Sequence, residues 1–154
     1  YRGAYFNTTI QPYTDGDYTE PTDQVRRLPL TQRYFADKIV QLCRDNDIQL
    51  ILYSSPSPLC WSYAMHNGIV AYALEQNVEF VDLNLMQQEL GIDWSVDTLD
   101  QGDHVNFSGS QKVTAYMGQY LAEHTQLQDH RGQQDYQDWN TALNQYLAAT
   151  GLAG

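Results

Sequence analysis

The sequence predicts a single α/β domain, residues 1–154, built on a parallel sheet. Two six-residue runs carry that prediction, Ile48-Gln49-Leu50-Ile51-Leu52-Tyr53 and Val78-Glu79-Phe80-Val81-Asp82-Leu83, together with the amphipathic stretch between them. Short, mostly apolar runs bounded by turn residues are how strands buried on both faces of a parallel sheet read. Strand, helix and strand within 36 residues form a βαβ unit, which is right-handed almost without exception.

The remaining elements follow from capping and periodicity. Residues 1–10 hold Tyr5, Phe6, Thr8, Thr9 and Ile10, β-type residues that predict one short strand. Pro12, Pro21 and Pro29, with the turn Asp15-Gly16-Asp17, make residues 11–30 irregular. A helix is expected from Thr31 to about Asn46, with the Thr31 hydroxyl as cap and Leu30 stapled to Phe35. Phe35, Ile39, Leu42 and Cys43 share one face and predict its buried side. Ser54-Ser55-Pro56-Ser57-Pro58 cannot continue a central strand. Residues 61–76 read as a second helix, with Met65, Ile69, Tyr72 and Ala73 inward. A short helix near 84–90 and a polar loop to 107 come next. Ser108-Gly109-Ser110-Gln111 reads as a capping box, opening a helix with the stripe Val113, Tyr116, Met117, Tyr120 and Leu121. Tyr136, Trp139, Leu143, Tyr146 and Leu147 predict a last amphipathic helix within a C-terminal extension, residues 131–154.

Composition excludes several classes. Apolar residues at 42% and charged residues at 18% fit a globular chain and not a disordered tail. No stretch is apolar for long enough to span a membrane. Tyr1-Arg2-Gly3-Ala4-Tyr5 lacks the pattern of a signal peptide. Eight Lys and Arg face 19 Asp and Glu, a formal charge of -11, which argues against a nucleic-acid or anionic-membrane partner. Cys43 and Cys60 are the only cysteines. They offer no disulfide framework and no cysteine-type zinc site, and read as free buried thiols. His66, His124 and His130 show no metal-ligand spacing. No cofactor is expected.

The chemistry concentrates in one loop, Asp97-Thr98-Leu99-Asp100-Gln101-Gly102-Asp103-His104-Val105-Asn106-Phe107. It puts a histidine and three carboxylates after the sheet and just before a helix, where a rigid scaffold holds catalytic groups. A carboxylate beside a histidine fixes its tautomer and stabilises the imidazolium that forms when it takes a proton. Trp61, Tyr63 and Trp94 flank this region as candidates to stack on a sugar ring.

Gly102-Asp103-His104-Val105-Asn106-Phe107-Ser108-Gly109-Ser110-Gln111-Lys112-Val113-Thr114 resembles the final block of the SGNH/GDSL hydrolases. It is similar to bacterial members whose ending reads GDHLNxxGAxKxT. The resemblance extends to the strand ending in Ser54-Ser55-Pro56-Ser57-Pro58, to Trp61 and His66-Asn67, to the second strand and to Gly91-Ile92-Asp93-Trp94. It covers roughly residues 1–130. It implies a three-layer flavodoxin-like α/β/α fold, a serine nucleophile, a histidine base with an aspartate behind it, and ester substrates, often acylated carbohydrates or cell-wall polymers. Carried over, the base is His104. The family places its aspartate three residues earlier, which is Gln101 here, so Asp100 is favoured, with Asp103 as the alternative. Ser57, Trp61, Trp94 and Asn106 are the expected substrate contacts, and an extracytoplasmic or cell-surface location is favoured.

The resemblance lacks its nucleophile. No Gly-Asp-Ser block is present, and Ser54, Ser55, Ser57 and Ser62 do not sit in a Gly-x-Ser-x-Gly elbow. The chain reads as the C-terminal portion of a longer enzyme, or alternatively as a member that has lost catalysis and serves as a carbohydrate or cell-surface binding module. In the first case a sheet edge or apolar face is expected to lie open, to be covered by residues 1–10, a preceding segment or a second copy.

Overall fold

A computed structural model describes residues 6–151. Its elements are α1 (Leu30–Asp45), β1 (Ile51–Ser54), α2 (Tyr63–Gln76), β2 (Glu79–Asp82), a 3-10 turn (Leu83–Met86) running into α3 (Gln87–Leu90), α4 (Phe107–His124), and a second 3-10 turn (Gln134–Tyr136) leading to α5 (Gln137–Thr150). The chain is of the α/β type. β1 and β2 pair in parallel, with Ile51 opposite Glu79 and Ser54 opposite Asp82, as the βαβ reading requires.

Both strands are shorter than expected, for local reasons. The Ile48 N–H turns back to the Cys43 carbonyl at 2.9 Å, and Asp47 takes a left-handed φ of 56°. Residues 48–50 therefore close α1 before pairing begins. At the start of β2, the Val78 N–H bonds the Ala73 carbonyl and closes α2. At its end, the Asp82 side chain accepts from the Asn84 N–H and starts the 3-10 turn. The predicted first strand falls partly on residues 1–5, which lie outside the described residues. Residues 6–10 form no strand. Asn7 and Gln11 instead bond Phe107, Thr98 and Gln101, tying this segment to the 97–107 loop.

Two caps differ from the sequence reading. Pro29, not Thr31, precedes α1, and it supplies no side-chain cap. Leu30 is 86% exposed, so it staples nothing. Asn106, not Ser108, caps α4: its side chain accepts from the Gly109 N–H, which leaves Ser108 inside the first turn.

Helices cover both faces of the strand pair. Val81, Leu83 and Leu90 form the core on one side, against Ile51, Val113, Tyr116, Met117 and Tyr120, so α4 covers that face. Phe80 points the other way and meets the His66 ring of α2 at 5.9 Å. α1 is tied alongside α2 through Arg33 to Glu75, Arg44 to the Gln76 carbonyl, and Tyr72 to Asp37. Within α1, only Val40 is buried. Phe35, Ile39 and Leu42, expected to face inward, are more than half exposed, as is Tyr53 of β1. The stripe is real, but Phe35, Ile39 and Leu42 are only partly covered by the described chain. β2 is the only described strand that pairs with β1, so among the described residues no strand pairs with the opposite edge of β1. α5 meets the body through Tyr146 and Phe107, whose ring centres are 6.4 Å apart. Among the described residues no helix is long and apolar enough to cross a membrane.

Candidate functional site

Backbone geometry puts Asp100 against His104. Gln101 and Gly102 take positive φ values of 63° and 101°, curling the chain so that residue 104 folds back over residue 100. A side chain at 102 would strike the Tyr13 ring at 2.9 Å, so the turn is closed as well as left-handed. Thr98, fully buried, holds the curl: its hydroxyl donates to the His104 carbonyl at 3.0 Å and accepts from the Gly102 N–H at 2.8 Å. The Leu99 N–H also bonds the His104 carbonyl, and Thr98 and Val105 form an antiparallel bridge.

Asp100 then grips His104 twice. One carboxylate oxygen accepts from the His104 backbone N–H at 2.7 Å and the other meets ring Nδ1 at 2.7 Å. A carboxylate can only accept, so Nδ1 carries the hydrogen and Nε2 is left for outside chemistry. The His104 side chain is 67% exposed. The Asp100 hydrogen bond, opposed by partial burial and helped by the charges of Asp103 and Asp100, raises the His104 pKa above the ordinary 6.5. Burial pushes Asp100 upward, but its bonds to the His104 ring and backbone outweigh it, and the carboxyl ends below its usual range.

Asp103, the alternative orienter, faces elsewhere. Its nearer oxygen lies 3.6 Å from Nδ1, outside hydrogen-bond range. Its other oxygen accepts from the Cys60 thiol at 2.8 Å. That bond raises the Cys60 pKa, with burial and the Asp103 charge adding to it, so the thiol is a poor nucleophile. Cys43 and Cys60 are unpaired, but Cys60 is exposed, contrary to the buried-thiol reading. Asp100, Asp103 and His104 each place one donor atom within 4.8 Å of the others, the one such metal-capable grouping among the described residues.

The four expected substrate contacts are brought near the loop with their polar groups engaged. The Ser57 hydroxyl donates to the Asp103 carbonyl at 2.8 Å. The Trp61 N–H donates to Asp82 at 2.9 Å and the Trp94 N–H to Gln87 at 2.6 Å. Both indoles meet Tyr18 edge-to-face, and Trp94 also meets Tyr13. Asn106 is a correction. It is 3% exposed, and its amide donates to the Val96 and Thr9 carbonyls while its oxygen caps α4, so it has no group to offer a ligand. Asp97, also in this loop, is fully buried. It accepts from Lys112 at 2.5 Å and from the Asp93 N–H at 2.7 Å, which pins the loop to α4.

A second histidine–carboxylate pair was not legible in the sequence. Asp82, 5% exposed at the carboxyl end of β2, accepts from His66 Nδ1 at 2.7 Å and from the Trp61 N–H through one oxygen, and from Asn84 through the other. Asn84, fully buried, also donates to the Ser54 hydroxyl and the Ser55 carbonyl and accepts from the Ser57 N–H and the Tyr18 hydroxyl. An acid at the carboxyl end of a parallel strand was the available signal. His66 lies 16 residues away on a different element, and no spacing rule links the two.

No protein-family model, curated protein or solved structure matches the chain.

Proposed function

We propose that this chain is the acid–base portion of an SGNH/GDSL-type serine hydrolase or acyl transferase, with the three-layer flavodoxin-like fold of that family. The supporting observation is the Asp100–His104 pair: Nδ1 is bonded to the carboxylate at 2.7 Å and the ring stands at the surface. His104 takes the proton of a serine hydroxyl through Nε2 as that serine attacks an acyl ester. Asp100 fixes the tautomer and stabilises the imidazolium formed. The imidazolium then protonates the leaving alcohol. The serine and its oxyanion donors come from outside these 154 residues, and the substrate is a small acyl ester or an acylated carbohydrate.

The test compares two proteins on p-nitrophenyl esters of increasing acyl length: the 154-residue chain, and the chain extended by the open reading frame upstream of Tyr1. The chain alone is expected to show negligible turnover, because a base without its nucleophile forms no acyl-enzyme. The extended protein is expected to be active and to lose roughly 10³-fold or more on His104→Ala. Turnover by the short chain that disappears on changing Ser54, Ser55 or Ser57 would relocate the nucleophile. An inactive extended protein would move the assignment to a carbohydrate or cell-surface binding module.

A further inference from the structure

A cavity of about 360 Å³ opens between α1, α2 and the sheet face opposite α4. That volume is within the range of small-molecule sites, roughly 300–1,000 Å³. Leu52, Met65, Ile69 and Phe80 line it, and His66 and Asp82 stand at its polar end. It runs along the sheet face, and its polar end lies at the carboxyl ends of the two parallel strands, beside Ser54 and Asp82, the side on which open α/β sheets take ligands. The His104 pair is not part of its lining.

The polar end is built. All the bonds that hold Asp82 come from His66, Trp61 and Asn84, and they satisfy both of its oxygens. The carboxylate is thus spent and is not a counter-charge for a cationic ligand. With Nδ1 bonded to Asp82, His66 Nε2 makes no protein hydrogen bond among the described residues, and the ring lines the cavity. Among the described residues no lysine or arginine lines it, and the chain carries a formal charge of -11, so the site offers an anionic head group no permanently charged partner. The chemistry left is an apolar body with one uncharged hydrogen-bonding group.

We infer that this cavity binds a neutral aliphatic chain ending in a hydroxyl, with that O–H donating to His66 Nε2 and the chain along Met65, Ile69 and Phe80. This site needs no nucleophile and does not depend on the ester reading. Neutral n-alkanols from butanol to decanol serve as probes. Their binding to the 154-residue chain is followed by the methyl signals of Met65 and Ile69 and by the ring-nitrogen signals of His66. Affinity is expected to rise about fourfold per added methylene, the factor for a fully buried CH₂, until the cavity is full and the gain stops. Ile69→Trp, which narrows the cavity along the path of the chain, is expected to weaken octanol by about tenfold or more and to end the gain at a shorter alkanol. His66→Phe, which keeps the ring but removes the nitrogen, is expected to weaken octanol about fivefold, the factor for one neutral hydrogen bond. His104→Ala is expected to leave binding unchanged, so failure of the hydrolase reading and failure of this one are separable. Shifts confined to Phe35, Ile39 and Leu42, no dependence on chain length, or a dimer whose contact fills the cavity would each overturn the inference.

Discussion

Replacing Asn106 by alanine tests the whole organisation of the His104 loop. The side chain holds three groups: the Gly109 N–H at the start of α4, the Val96 carbonyl at 2.6 Å and the Thr9 carbonyl at 3.1 Å. Loss of the cap costs about 1 kcal/mol. Each neutral bond to a carbonyl contributes about 1 kcal/mol, and these carbonyls lie in a part-buried setting where water does not fully replace the donor. The expected destabilisation of Asn106→Ala is about 3 kcal/mol, read as a fall in the urea midpoint with little change in slope. Aspartate separates the contributions. It can cap the helix but cannot donate to either carbonyl, so Asn106→Asp is expected to recover no more than the cap. An Asn106→Asp protein as stable as the parent, or an Asn106→Ala loss below about 0.5 kcal/mol, would refute the account of this residue as a three-way tie.

Three other outcomes follow from the charged groups. The His104 pKa, raised by Asp100, is expected to fall on Asp100→Asn and to move less on Asp103→Asn, both measured by NMR titration of the ring; the reverse order would reassign the orienting carboxylate. A raised histidine pKa gives stability that is complete below the ordinary imidazole value and is lost as pH rises through the folded value. The lowered Asp100 pKa gives stability that is complete above the ordinary carboxylate value and is lost as pH falls through the folded one. The pair therefore contributes most in the mildly acidic range between them. Lys112→Met leaves the fully buried Asp97 carboxylate without its cation, and chemical denaturation is expected to show a loss of about 2 kcal/mol, below the cost at a fully buried pair because Lys112 is a third exposed; an unchanged midpoint would show that the Asp93 N–H and the Ser108 side chain suffice.

The legible and illegible parts of the molecule divide by the range of the interaction. The βαβ unit could be read because its signal is local: two apolar runs and one helical period between them. Asp100 and His104 could be read because four residues separate them and the intervening Gln101-Gly102 turn has the glycine needed to close. Asn106 was misassigned because its partners at Thr9 and Val96 are set by the fold and not by spacing, and a serine two residues on offered an equally good cap pattern. Phe35, Ile39 and Leu42 show the limit of periodicity. It identifies an apolar face and carries no information on what lies opposite. His66 and Asp82 meet only because β2 brings the end of one element under the start of another.

The edge of β1 left unpaired among the described residues, with Tyr53 and the α1 stripe beside it, has a consequence for the protein in solution. An unpaired strand edge flanked by exposed apolar side chains is a template for pairing with a neighbouring molecule. What opposes that is the charge of -11, which keeps copies apart through a repulsion reaching about 30 Å at 0.01 M salt, about 10 Å at 0.1 M and about 3 Å at 1 M. Added salt shrinks this barrier and strengthens apolar contact at the same time. Acidification toward the sequence pI near 4.4 removes the charge itself. Colloidal behaviour of this chain is thus set by the balance between an acidic surface and an exposed strand edge, and dilute buffer near neutral pH is the condition expected to keep it dispersed.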